Sequence, residues 1–320
     1  MNTFKKVGLT ALGTSLIATS AFAGAVTVTG SAGITLSNES NIDKGNSFSM
    51  TDQVVFAGSG ELDNGMNISL SLQLDGNIMD DRSVTIATPD MGTLVFAGHG
   101  GSSAMSAVDD VMPTAYGESW DVLGSTAQTT AGRASKEGAI GGYATDNNFF
   151  YTAPEMVEGL AVKASYQPSG TGRADGSVSF NLEYTGVEGL TIGYAEDDNG
   201  LAGTSKLEND TAYIKYAFGS FTVGMQESQQ EQSGATASDD EFSAMGITYQ
   251  VSDDLTIGYT SSERDFGDKA QDQEASNLSI SYTTGGVTIA AAMAEVDNVG
   301  GSTKADDDVD GFAIDVSFAF

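Results

Sequence analysis

Cysteine is absent from the 320 residues, so no disulfide, thiolate nucleophile or thiolate metal ligand is available. Proline is scarce, four residues against forty glycines, which suits many turns and bulges and excludes a collagen-like chain or a proline-rich linker. Basic residues are few: 13 lysines and arginines stand against 44 aspartates and glutamates, a formal charge of −31 that argues against nucleic acid as a partner. No stretch approaches the roughly eighteen consecutive apolar residues that a membrane-spanning helix requires. The P-loop and dinucleotide glycine fingerprints are missing, as is the G-x-S-x-G elbow. The one histidine, His99, sits in Gly98-His99-Gly100-Gly101, a faint echo of an oxyanion-type glycine run that reads more simply as a turn.

What is present begins with an export signal. Lys5 and Lys6 precede the apolar run Val7 to Ile17, and Ala21-Phe22-Ala23 supplies small residues around a cut. Residues 1–23 are therefore set aside as a signal peptide, and 24–320 form the mature domain, beginning at Gly24. Loss of the two lysines takes the formal charge to about −33.

The mature chain alternates apolar and polar residues with period two. Met66, Ile68, Leu70, Leu72 and Leu74 share one face, and Asn67, Ser69, Ser71 and Gln73 share the other. At the end of the chain Phe312, Ile314, Val316, Phe318 and Phe320 oppose Ala313, Asp315, Ser317 and Ala319. The pattern predicts sixteen strands, near 25–37, 47–59, 65–75, 82–88, 92–98, 147–153, 160–167, 177–185, 190–197, 209–218, 220–228, 241–251, 254–262, 275–283, 286–295 and 309–320. If their apolar faces meet lipid, the sheet must close, because an unpaired edge inside a bilayer leaves backbone groups unsatisfied. The expected fold is an all-β, transmembrane, antiparallel barrel with the last strand, ending at Phe320, as its closing stave.

The connections carry a second signal, since short turns alternate with longer acidic loops, the layout of an outer-membrane barrel. Tyr184, Tyr216, Phe218, Tyr249 and Tyr282 fall just before short turns, where they would build an aromatic girdle. A weak repeat runs through the second half: Leu190-Thr191-Ile192-Gly193-Tyr194, Phe221-Thr222-Val223-Gly224-Met225, Leu255-Thr256-Ile257-Gly258-Tyr259 and Val287-Thr288-Ile289-Ala290. It marks a recurring hairpin.

Residues 24–320 resemble the general porins of Gram-negative outer membranes, in particular the sixteen-stranded alphaproteobacterial type. The signal ending Ala21-Phe22-Ala23, the fifth strand Gly92-Thr93-Leu94-Val95-Phe96-Ala97-Gly98 opening into the longest loop, and the terminal Phe320 carry the resemblance. It implies a homotrimer of water-filled barrels in outer-membrane lipid, each narrowed by an inward-folded third external loop whose carboxylates face wall cations. Many such porins have arginine where this chain has His99.

The loop in question, residues 99 to 146, far exceeds the usual connection of about four to six residues. Its Met105, Val108, Val111, Met112, Tyr116, Trp120, Val122 and Leu123 need something to pack against, and Ala104 to Met112 could form a short helix. Asp109, Asp110, Glu118 and Asp121 are the candidate constriction acids, with Arg133 and Lys136 near the return. The first three strands hold no basic residue, so the candidate wall cations are Lys163 and Lys215, with Arg82 at a strand start. The expectation is a passive, cation-preferring channel for small hydrophilic solutes, without catalysis or a cofactor. Acidic runs such as Glu196-Asp197-Asp198 and Asp306-Asp307-Asp308, read as external loops, offer hard oxygens that suit Ca²⁺. The rival reading is a non-conducting exported β-rich surface or structural protein.

Overall fold

The computed structural model describes residues 26–40, 46–76, 78–123, 138–143, 146–169, 176–202, 206–234, 239–304 and 307–320. The signal peptide with its boundary at Gly24, and Arg133, Lys136 and Asp306, lie outside them.

Wherever the period-two pattern runs, the chain is extended. The strands are β1 Thr27–Glu39, β2 Ser47–Glu61, β3 Asn67–Asp75, β4 Ile78–Thr88, β5 Gly92–His99, β6 Asn148–Thr152, β7 Leu160–Gln167 and β8 Ser177–Val187. They continue with β9 Leu190–Asp198, β10 Leu207–Phe218, β11 Phe221–Gln232, β12 Asp240–Ser252, β13 Leu255–Phe266, β14 Gln273–Thr284, β15 Val287–Asp297 and β16 Val309–Ala319. Each pairs antiparallel with its sequence neighbours, and β1 pairs with β16, giving a closed barrel. Closure extends one residue past β16: Phe320 N–H donates to the Gly30 carbonyl at 2.9 Å and Gly30 N–H donates to the Phe320 carbonyl at 2.8 Å.

The two faces separate as the alternation predicts. On β14, Leu278, Ile280 and Tyr282 are exposed while Gln273, Ala275, Asn277 and Ser279 are buried. The exposed set is the outer face, and its apolar side chains recur around the barrel, from Val28 and Ile34 to Met293 and Phe318. So continuous an apolar band is disfavoured against water and fits a bilayer. Near the short turns it is aromatic: Phe218 stacks on Tyr216 and Phe221, with centroids 5.7 and 5.6 Å apart, and Phe221 meets Tyr249 at 4.7 Å.

Beyond the apolar band, on the loop side, the strands run further than their sequence pattern. β11 continues to Gln232 and β13 to Phe266. There the outer face turns acidic, and carboxylates stand opposite one another in register: Asp210 with Glu196, Glu263 with Glu274, and Glu295 with Asp310. Like charges directly opposite cost stability, so something other than side-chain pairing favours this arrangement.

The alternation of short and long connections breaks down between β3 and β4, and residues 153–159, between β6 and β7, are as long a connection as residues 40–46 on the loop side. β4 begins at Ile78, four residues earlier than the pattern predicts, because Met79 pairs with Leu74, and only residues 76–77 join it to β3. At the opposite end Gly92 turns the chain into β5 at φ 78°, where a Cβ would sit 2.2 Å from the Thr152 carbonyl oxygen. Among the described residues no helix is long and apolar enough to cross a membrane, which leaves strand crossing untouched.

Candidate functional site

The connection between β5 and β6 is laid along the polar face of the sheet. Its outgoing leg takes wall partners strand by strand. Ala104 N–H donates to Ser165 Oγ on β7 at 3.0 Å, and Met105 N–H to Ser179 Oγ on β8 at 2.9 Å. The Asp109 carbonyl accepts from Gln226 Nε2 on β11 at 2.6 Å, Ser119 Oγ lies 3.0 Å from Ser262 Oγ on β13, and the Gly117 carbonyl accepts from Asn277 Nδ2 on β14 at 2.8 Å. Leu123 ends the leg in an apolar cluster with Ala275, Ala294, Val296 and Val299. The return leg accepts from Asn209 Nδ2 at the Gly141 carbonyl and donates from Tyr143 N–H to Asp197 Oδ2, both at 2.7 Å.

Apolar residues hold the loop down between these bonds. Met105, Val108, Met112, Trp120 and Ile140 cluster with the wall residues Ala195, Tyr213, Phe242 and Ala244. Trp120 is 2% exposed and meets Phe242 edge-on, centroids 5.1 Å apart. Ala104 to Met112 is not a helix: residues 104–108 form turns, with Val108 N–H donating to the Met105 carbonyl at 2.8 Å, and the chain then bends at 109–110 and runs on without regular structure. The base of the loop is clamped where His99 Nδ1 stands 2.8 Å from Asp146 Oδ1, and Gly100 N–H donates to the same oxygen at 3.2 Å. The His99 contact holds the Asp146 carboxyl below its usual range.

The four candidate acids divide into one anchor and a group of three. Asp109 accepts from Gly142 N–H at 2.8 Å, which ties the two legs together, while burial pushes its carboxyl up. Asp110, Glu118 and Asp121 converge, with one carboxylate oxygen of each within 4.8 Å of the others. Asp110 and Asp121 are exposed. Burial, reinforced by the charges of Asp110 and Asp121, pushes the Glu118 carboxyl up to about 8.

The candidate cations are less well gathered. Lys215 shares the inner face with its register partner Gly224, and its Nζ lies 5.5 Å from the centre of the Tyr213 ring. Lys163 is in register with Asn181, a loop-contacting inner residue. Arg82 is a correction: it stands in register with Leu72 and shares the parity of exposed Val84, on the outer face. Its guanidinium folds over Gly98, donating to that carbonyl at 3.3 Å. A cation the sequence reading missed is Arg264, 9% exposed, which donates to Asp240 Oδ2 at 2.8 Å and to the Gly138 carbonyl at 2.9 Å. It has the parity of Thr260 and Ser262, and only the expected end of β13 at residue 262 hid it.

The run Glu196-Asp197-Asp198 also differs from expectation. It completes β9 instead of forming a loop, so Asp197 points inward, 3% exposed, while Glu196 and Asp198 take the other parity. Asp307 is likewise buried and accepts from Ser302 Oγ at 2.5 Å.

Residues 8–320 match the Gram-negative porin family. The chain is a porin. No curated protein matches it in sequence, but solved barrels align over nearly its whole length. OmpT, an outer membrane protein of Vibrio cholerae, is 15% identical, covering 92% of this chain and 97% of its own at a TM-score of 0.68. The anion-selective porin from Comamonas acidovorans is 13% identical, with 92% and 99% coverage and a TM-score of 0.68. A mutant of the Rh. blastica porin is 13% identical, with 92% and 100% coverage and a TM-score of 0.65. At such identities the likeness is one of fold. Family and fold together make this porin an outer-membrane β-barrel channel.

Proposed function

We propose that this porin is a passive route for small hydrophilic solutes and ions, that its long loop narrows the lumen, and that it prefers cations. The carrying observation is the convergence of Asp110, Glu118 and Asp121 on a loop bonded to the polar face of the wall. The inner faces of β1 and β2 offer Thr29, Ser49 and Thr51, and strands β1 to β3 contain no lysine or arginine. Arg264 is paired with Asp240, so it offsets the loop's charge little. A ring or cluster of one sign in a narrow pore sets ion preference. The fold itself does not fix the sign, since a barrel of this shape is described as anion-selective.

The functional unit of this reading is a homotrimer in outer-membrane lipid, exported through a cleaved signal that leaves Gly24 first. A trimer form is described for OmpT. Here the apolar outer face reaches the loop side at Phe48 and Met50, 74% and 68% exposed, where β13 and β14 carry Glu263 and Glu274. That face of β1 and β2 suits a second copy better than it suits headgroups. The test of the channel reading is the reversal potential of the purified protein in a planar bilayer under a salt gradient. Cation preference should be strong at about 0.1 M, where screening extends about 10 Å, and weak at about 1 M, where it falls to about 3 Å. Anion preference at low salt would overturn the selectivity, and silence across well-folded preparations would favour the non-conducting surface protein.

A further inference from the structure

The hairpin repeat of the second half carries a small inward residue at the fourth place of each unit: Gly193, Gly224, Gly258 and Ala290. Two of these, with Gly246 on the strand between them, lie directly under the loop. Gly224 and Gly246 are register partners on β11 and β12, and Gly258 follows on β13 opposite Thr248, the inward residue next after Gly246 on β12. A Cβ on Gly224 would stand 2.7 Å from Pro113 Cδ. On Gly246 it would stand 2.6 Å from the Pro113 carbonyl oxygen, and on Gly258 2.7 Å from the Ala115 nitrogen. All three φ angles are ordinary for a strand, so backbone conformation does not demand glycine here; space does. The next strand supplies the hydrogen bond that fixes the depth, Ala115 N–H donating to Ser279 Oγ at 3.3 Å.

We propose that Gly224, Gly246 and Gly258 form a seat whose depth sets the aperture of the channel, and that they are positioning residues for permeation. Pro113 and Ala115 lie between Asp110 and Glu118, so any lift of the loop off this seat moves the acidic group toward the middle of the lumen. Aperture and ion preference are therefore coupled through three residues that carry no charge and touch no solute. The inference rests on the channel reading above.

The experiment is single-channel recording of full-length protein carrying Gly224→Ala, Gly246→Ala or both, with Gly58→Ala as control, where a Cβ meets only Val26 Cγ2 at 3.7 Å. Folding is checked by heat-modifiable migration. The double variant should lose roughly half its conductance and shift its reversal potential, whereas the control should match wild type. Because the Gly224 clash is with the proline ring, Pro113→Ala should restore conductance to Gly224→Ala but not to Gly246→Ala, whose clash is with backbone. Unchanged conductance in folded Gly224→Ala channels overturns the seat, as does equal rescue of both variants. If Gly246→Ala does not fold, the Gly224→Ala and Pro113→Ala pair decides alone. A wild-type protein that conducts no ions, or whose conductance is unaltered by deleting residues 104–123, refutes the channel or loop reading and not the seat specifically.

Discussion

Glu118 holds its proton to about pH 8, first because it is buried and then because Asp110 and Asp121 stand beside it. The acidic group should therefore gain negative charge as pH rises through about 8, and under the proposed function a preference for cations, read as reversal potential across a pH series, should grow there. Glu118→Gln should flatten that rise while leaving a pore. The sign for stability is opposite. A carboxyl whose folded pKa is raised contributes stability below its unfolded value, 4.5, and loses it as pH approaches about 8, so the loop is held less firmly in alkali. Placement at the residue scale was legible where parity and charge sufficed: of the four acids named on the long loop, Asp110, Glu118 and Asp121 converge while Asp109 ties the two legs together, and Lys215 faces inward from its strand. Arg82 was misjudged because the β4 start was set four residues late, and a strand end carries little periodicity by which to assign a face.

At the scale of elements, the loop is a second layer on part of the wall, fixed by hydrogen bonds and by one aromatic wedge. Truncating a buried aromatic of this kind costs about 3–5 kcal/mol. Trp120→Ala should leave the barrel folded, since Phe242 stays on its strand, but should release the loop enough for external protease to cut near residue 120 in intact cells and for open-channel noise to rise. Unchanged protection and noise would mean that the hydrogen bonds hold the loop alone. The strands themselves were readable to within a few residues because lipid on one side and polar contacts on the other impose period two. Their extensions in β11 and β13 were not, because beyond the bilayer both faces are polar while backbone pairing continues. The path of the loop was equally hidden: serines at 165, 179, 262 and 279 read only as polar wall residues until the loop's amides and hydroxyls meet them.

For the whole molecule, the seam between β1 and β16 is the one join that local sequence does not make. Removing Phe320 deletes two backbone hydrogen bonds with Gly30, each worth about 0.5–1.5 kcal/mol in water and more where lipid offers no substitute. It should lower the yield of heat-modifiable barrel in the outer membrane, and undiminished yield would mean that the remaining ladder, Ser31 to Glu39 against Ala319 to Gly311, closes the wall unaided. The seam joins residues as far apart in sequence as Gly30 and Phe320. Every other pairing can form as the chain arrives, but this one waits for the final strand. Until then the sheet has two raw edges, each able to pair with a neighbouring copy, so time spent unclosed is the interval of greatest hazard for the molecule. Freedom from that hazard is conferred by the last strand to arrive.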